Sequence, residues 1–444
     1  MIYEKKMNVD WKLLHPYTLK DNKKEMYYLN YFNNWVAVFI CLWFAWPFMN
    51  YRLGLLPLIF VLAAWFFTTD MKWVFKRLSF DLVFIVIWFL SFLPYIFTGK
   101  FYFGNLNPIY ALICFSLFFV GIFVNHYYMF FKQNGRALRN IALFTILFFI
   151  IASVQSYLGL RQYPLAARVL ATGSDPLMQT YVSLGIGGFG FVYSAVFVNI
   201  ALLYFIITRD SKIRLFYRFL ALFAYIIITM MLISASYATS LLFLFIGTLL
   251  VFFIRGKKSL IFCILFAIIM ILLIPKEMIG YLLIDVANLF KENGVINSKF
   301  MDLAKGFVTD SFGSQTNGRG QLYLESLDTF FHNPLFGIYG PFGDSFNAKV
   351  GGHSGWLDLL AYYGLFGSLP LFAAIFFLFR KQLKFYANHP YTSFILTAQI
   401  LFVIFGFINP FLYVYQIGFV LFTVIPALPY LSNAFLKNGE ERNT

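Results

Sequence analysis

Asn140-Ile-Ala-Leu-Phe-Thr-Ile-Leu-Phe-Phe-Ile-Ile-Ala-Ser-Val-Gln-Ser-Tyr-Leu-Gly159 carries no charge, and Arg136 and Arg139 stand before it and Arg161 after it. A helix of about 20 residues rises about 30 Å, the thickness of a bilayer's hydrocarbon core. Working outward, the same signal recurs along the chain. It predicts about twelve spans, at 32–49, 54–69, 82–98, 107–125, 140–159, 184–207, 215–233, 236–254, 259–275, 356–379, 391–408 and 411–431. Composition agrees: 61% of the 444 residues are hydrophobic and 12% are charged, against about 45–50% and 25% in soluble domains. So few charges cannot cover a soluble fold of this size, and so apolar a chain cannot stay disordered. The expected class is an all-α, polytopic integral membrane protein whose main partner is the lipid bilayer.

The formal net charge of +15 raises the possibility of nucleic acid, but its distribution points elsewhere. With the N-terminus in the cytoplasm and each span reversing the side, 24 of the 34 basic residues fall in cytoplasmic segments. Those segments also hold nine acidic residues, so the remainder of the chain carries ten of each sign. The whole excess is the positive-inside bias, and no nucleic-acid partner is expected. The three cysteines, Cys41, Cys114 and Cys263, lie in apolar runs and suggest neither a disulfide framework nor a zinc site. The expected organisation is a polar cytoplasmic segment 1–31, nine spans in 32–275, a large extracytoplasmic loop 276–355, three spans in 356–431 and a cytoplasmic tail 432–444. Within the large loop, Met278–Leu289 and Gln321–Phe331 are patterned as amphipathic surface helices, separated by a Gly/Ser/Asn-rich patch at Ser311–Gly320.

Polar residues on the outer face are the candidates for chemistry. Only two histidines fall there, His332 and His353. Arginines outside run against the charge bias, which singles out Arg161, Arg168 and Arg319; a solvated loop residue is the plain alternative for each. His353 sits in Gly351-Gly-His-Ser-Gly-Trp-Leu-Asp358, where the tenth span begins. Free N–H groups at a helix N-terminus suit a phosphate. An imidazole, with an ordinary pKa near 6.5, can take a proton at neutral pH; the plain alternative is a capping histidine. Asp358, inside the span, is expected to pair structurally, an outer arginine being the favoured partner, and to share a face with Ser354 and Tyr362. Gly185-Ile-Gly-Gly-Phe-Gly190 fits the spacing of a dinucleotide fingerprint, but it opens an apolar span and reads as close packing. Ser234–Ser240 reads the same way, or as hydroxyls lining a polar pocket. No metal or nucleotide motif stands in a cytoplasmic segment.

Three stretches then resemble the O-antigen polymerase and O-antigen ligase superfamily of bacterial polysaccharide assembly. Arg319-Gly-Gln-Leu-Tyr-Leu-Glu-Ser-Leu followed by Asn333-Pro-Leu-Phe-Gly-Ile-Tyr-Gly340 is similar to that family's arginine helix and Asn-Pro-Leu-x-Gly-x-Gly turn. His353-Ser-Gly-Trp-Leu, ending in Gly364-Leu-Phe-Gly367, is similar to its His-Asn-x-x-Leu segment and Gly-Leu-x-Gly. Arg168-Val-Leu-Ala-Thr-Gly-Ser-Asp-Pro176 resembles its outer arginine and Gly-x-x-x-Pro turn. Ser354 replaces the usual Asn, and Ser234–Ser240 lacks the family's Ser-Arg pair. The resemblance implies a GT-C-like fold and a metal-independent glycosyltransferase without cofactor. It would act on the outer face of the bacterial cytoplasmic membrane, with both termini in the cytoplasm. Its substrate would be an undecaprenyl-diphosphate-linked oligosaccharide, its partners other polysaccharide-assembly proteins. It also implies the roles: Arg168, Arg319 and Arg161 on the diphosphate, Arg319 supporting catalysis, His353 as base and Asp358 as a structural residue. A polymerase of capsule, O-antigen or exopolysaccharide is the leading expectation. A ligase of the same superfamily is the alternative, and a flippase or transporter of lipid-linked sugars stands behind it, with a purely structural membrane protein last.

Overall fold

The computed structural model of the protein describes residues 23–69, 79–97, 108–132, 134–172, 176–207, 215–253, 276–292, 294–309, 314–340, 342, 348–387, 391–411 and 414–434; some side chains on its helices, that of Arg319 among them, lie outside the description. Every regular element among the described residues is helical. In chain order these are α1 (Lys23–Ala45), α2 (Pro47–Leu53), α3 (Leu56–Thr68), α4 (Phe80–Phe97) and α5 (Pro108–Asn125), which runs on into a π-helical turn at His126–Phe131. Next come α6 (Gly135–Gln162), α7 (Ala166–Thr172), α8 (Met178–Ser183), α9 (Phe189–Ile207), α10 (Leu215–Ser234) and α11 (Ala238–Phe253). Then follow α12 (Lys276–Leu289), α13 (Gly294–Thr309), α14 (Ser314–His332), α15 (Gly355–Phe385), α16 (Thr392–Ile408) and α17 (Tyr415–Ala427).

Each predicted span on described residues contains helix, while the ninth, 259–275, lies outside them. Among the described residues five helices are long and apolar enough to cross a membrane: α4, the α5 stretch Leu112–Phe131, α6, α9 and α15. A sixth is added if α1 and α2, bent by 100° at Trp46, count as one. Other apolar helices, such as α3 and α16, have 10–17 residues. Apolar runs overstate the helices because some of their residues sit in turns. The predicted span 184–207, for example, becomes helical only at Phe189. The outer surface of the bundle is apolar too: Phe60, Phe97 and Phe223 are 73%, 83% and 65% exposed. Aromatic surface of this kind is tolerated in lipid, where backbone groups must bond within helices. The chain is a helical membrane protein.

Asp81, His126 and Lys381, which the charge pattern assigns to one side, meet in one cluster. Lys381 Nζ lies 3.2 Å from Asp81 Oδ2, 2.8 Å from Ser79 Oγ and 3.0 Å from His126 Nδ1, with its charge 4.3 Å from the Phe130 ring centre. The cluster ties α4, the π-helical turn and the far end of α15 together.

The long stretch 276–355 is largely helical among its described residues. The Gly/Ser/Asn-rich patch is helix from Ser314 onward; its first residues, 311–313, lie outside the described residues. α14 docks one face on α15, through Ser326. The turn after α14 is interlocked with a break in α15 at Gly364, whose φ of 59° and ψ of −165° are not helical. Ile338 N–H bonds Ala361 O at 3.1 Å and Tyr339 N–H bonds Tyr362 O at 3.1 Å. Beyond the break, Leu365 N–H bonds Pro334 O at 2.9 Å and Phe366 N–H bonds Leu335 O at 2.9 Å. Ser368 Oγ spans the break to Leu359 O at 3.0 Å. The α15 groups freed by the break thus find partners in the turn, as buried backbone requires. The crossing needs glycine on both sides. Gly337 also has positive φ, and a Cβ there would lie 2.4 Å from Tyr362 C and O, while one on Gly364 would lie 2.5 Å from Leu335 C and O.

Gly337→Ala and Gly364→Ala are each expected to cost about 2–4 kcal/mol, from the left-handed backbone and the overlap together. Thermal unfolding in detergent should show both melting several degrees below wild type. Gly320→Ala, where nothing lies within 4 Å of the added Cβ, should melt no lower.

Candidate functional site

The His353 segment is held from two sides. On one, Thr329 Oγ1 donates to Lys349 O at 2.6 Å and Ser326 Oγ accepts from Gly351 N–H at 3.0 Å. Ser326 also donates to Asp358 Oδ1 at 2.7 Å, so one buried hydroxyl joins α14, the segment and α15. On the other, three successive residues bond the C-terminal carbonyls of α16. Ser354 Oγ reaches Gly406 O at 3.4 Å, Gly355 N–H reaches Asn409 O at 3.2 Å and Trp356 Nε1 reaches Val403 O at 2.9 Å.

These bonds change two expectations. The N-terminus of α15 does not present a set of free N–H groups to an anion. Ser354 N–H is taken by Asp358 Oδ2 at 3.0 Å, Gly355 N–H by Asn409, and Leu357 N–H by Ser354 Oγ at 3.4 Å. Asp358 itself supplies the negative charge that the helix dipole favours there. It shares a face with Ser354 as the spacing predicts, but among the described residues no arginine pairs with it; its oxygens are held by Ser326 and Ser354. A hydroxyl and an amide suffice because a carboxylate takes charge-assisted bonds from neutral donors.

A cavity of about 580 Å³ opens beside this segment and joins His353 to Arg168. Its lining comes from five of the loop regions that the charge pattern places outside: Asn50 and Tyr51, Arg168, Tyr237 and Thr239, Lys299 and His353, and Asn409 with Pro410. Gly188 and Gly190, at the start of α9, add bare backbone. Arg168 and Lys299 are half-buried and His353 is exposed. None of the described lining residues is acidic, so the cavity attracts anions. Tyr237 Oη donates to Ala167 O at 2.8 Å and so fixes the backbone next to Arg168.

The other candidates lie apart or outside the described atoms. Arg161 is exposed at the end of α6 and does not line the cavity. Arg319 is on α14, two turns before Ser326, and its side chain lies outside the described residues. His332 is exposed at the end of α14, 2.8 Å from Asp328 O. The glycine run at 185–190 packs closely as expected, but against side chains. A Cβ on Gly185 would lie 2.4 Å from Gln155 Nε2, and one on Gly190 2.4 Å from Gln416 Oε1. Sequence reading missed Asn50, Tyr51, Lys299, Asn409 and Gln416. The available signal for the last two was a polar residue inside or between apolar runs.

Ser326→Ala is expected to cost about 1–3 kcal/mol, because Gly351 N–H and Asp358 each lose a buried partner. Hydrogen exchange measured by mass spectrometry should then speed up across 349–358, with the Lys381 cluster unaffected; unchanged exchange at 349–358 would count against the clamp.

No protein-family model matches the chain, and no curated protein matches it.

Proposed function

We propose that the protein is a polysaccharide polymerase of the bacterial cytoplasmic membrane, built on about twelve spans in a GT-C-like arrangement with both termini in the cytoplasm. The observation that carries this reading is one cavity lined by Arg168, Lys299 and His353, with no acidic residue in its described lining, at the meeting point of loops assigned to one side. A lipid-linked glycan brings a diphosphate, which needs fixed cations, and an acceptor hydroxyl, which needs a base. Arg168 offers a planar fork of N–H donors that does not deprotonate, and Lys299 adds a compact charge. Arg319 is the second guanidinium assigned to the diphosphate.

In the reaction, the acceptor sugar's hydroxyl oxygen attacks the anomeric carbon of the donor glycan, forming the new C–O bond. The bond from that carbon to the diphosphate oxygen breaks, and its electron pair leaves with undecaprenyl diphosphate. The hydroxyl proton passes to the His353 imidazole. Attack from the face opposite the leaving group inverts the anomeric centre. Arg168 and Lys299 stabilise the charge that grows on the leaving oxygen, often the largest catalytic contribution. Proton transfer to His353 contributes about 10²–10⁴-fold.

Purified protein in nanodiscs, given undecaprenyl-diphosphate-linked repeat units, should yield a ladder of longer lipid-linked chains. His353→Ala should slow the ladder by about 10²-fold or more, and Arg168→Ala by a similar factor. An undiminished ladder from His353→Ala would remove the base from the mechanism. Transfer to lipid A core without a ladder would identify the ligase instead.

A further inference from the structure

The same cavity has a side that the diphosphate does not explain. Asn409 is 6% exposed, and among the described residues its buried Nδ2 has no hydrogen-bond partner. The buried Gln416 Oε1 likewise has none among the described residues, and both side chains line the cavity. Asn409 is fixed by its backbone: its N–H bonds Phe405 O at 2.8 Å and its carbonyl takes Gly355 N–H, two residues from His353. The Gln416 amide lies close to Gly190: a Cβ on that glycine would sit 2.4 Å from Oε1. Next to Gln416, Tyr415 stacks on Trp43 with ring centres 5.6 Å apart and accepts from Asn50 Nδ2 at 3.0 Å. Tyr193 and Tyr237 also line the cavity, with ring centres 5.8 Å apart.

A buried amide left without a partner is destabilising, so a ligand that completes both gains affinity. The two groups require opposite things: Asn409 Nδ2 offers a donor, and Gln416 Oε1 needs one. A diphosphate at neutral pH carries acceptors only and would set lone pair against lone pair at Gln416. A polyprenyl tail carries neither donor nor acceptor. Of the three parts of a lipid-linked glycan, the sugar ring alone brings both, as hydroxyls or as an acetamido group, together with an apolar C–H face that suits a tyrosine ring.

We infer that Asn409 and Gln416, framed by Tyr193, Tyr237 and Tyr415, form an uncharged subsite that binds a sugar ring of the lipid-linked glycan, separate in chemistry from the cations that bind its diphosphate. This rests on the proposed function, and it makes the amides the specificity-determining part of the cavity. The arrangement predicts a simple division of labour. Cations set affinity for the carrier, and amides set the preference for a glycosylated carrier over a bare one.

Affinities of the full-length protein in nanodiscs for three probes test this: undecaprenyl diphosphate, the same carrier with one N-acetylglucosamine, and the same carrier with one glucose. Two hydrogen bonds predict that wild type binds at least one sugar-bearing carrier about tenfold more tightly than the bare one. In the Asn409→Leu/Gln416→Met double variant that ratio should fall to about one. The near-isosteric Asn409→Asp, which exchanges a donor for an acceptor in a site of unchanged volume, should lower it as well. Arg168→Ala should weaken all three probes and keep the ratio. A ratio that survives in the double variant, with the amides binding water only, overturns the inference. So does a wild-type ratio of one with all probes bound, which leaves the proposed function standing. Absence of binding to any carrier overturns the proposed function and the inference with it.

Discussion

The end of the bundle that carries His353 depends on one backbone crossing, the threading of the 333–340 turn into the break of α15 at Gly364. Four N–H···O=C bonds close it, and neither Gly337 nor Gly364 has room for a Cβ. In a bilayer a broken helix is costly, because each freed N–H or C=O needs a partner from the protein. The turn supplies those partners, so the break and the turn exist only together. With the crossing closed, α14 lies along α15, Ser326 reaches both Gly351 and Asp358, and the His353 segment between them is held at both ends. The C-terminal carbonyls of α16 complete the grip through Ser354, Gly355 and Trp356. A histidine on an exposed loop thereby gains a backbone held from two sides.

The cavity divides its chemistry by charge. Arg168 and Lys299 are the basic residues beside His353, and none of the described lining residues is acidic. Asp358, close to His353 in sequence, is consumed structurally: it closes the first turn of α15 and anchors α14. At the other end, Lys381 is similarly committed to Asp81 and Ser79, which leaves that cluster a role in packing α4 against α15. Basic residues at the two ends of the same helix bundle therefore serve different ends.

Much of the fold was legible because hydropathy is local. Runs such as 140–159 became helices, and polar residues placed outside by alternation converge on one cavity. Arg168 and His353, singled out separately in the sequence, both line that cavity. What was not legible depends on tertiary partners. The α15 N-terminus reads as an anion site until Asn409, far along the chain, is seen to take the Gly355 N–H. The span 356–379 reads as one helix, since nothing in its hydropathy says that Gly364 adopts positive φ to admit another segment's backbone. Lys299 looks like any solvated loop lysine. Asn409 and Gln416 look like single polar interruptions of apolar runs, because hydropathy averages over faces and cannot say which side chain meets a cavity.

The central claim is that this cavity receives a lipid-linked diphosphate between the two cations and the histidine. A cryo-electron microscopy structure of the protein in nanodiscs with an undecaprenyl-diphosphate-linked oligosaccharide tests it most directly. The account predicts diphosphate density in contact with Arg168 and Lys299, with the first sugar on the side of Asn409 and Gln416 and His353 facing the anomeric carbon. Diphosphate density elsewhere on the protein, with the Arg168–His353 cavity holding none, would contradict it.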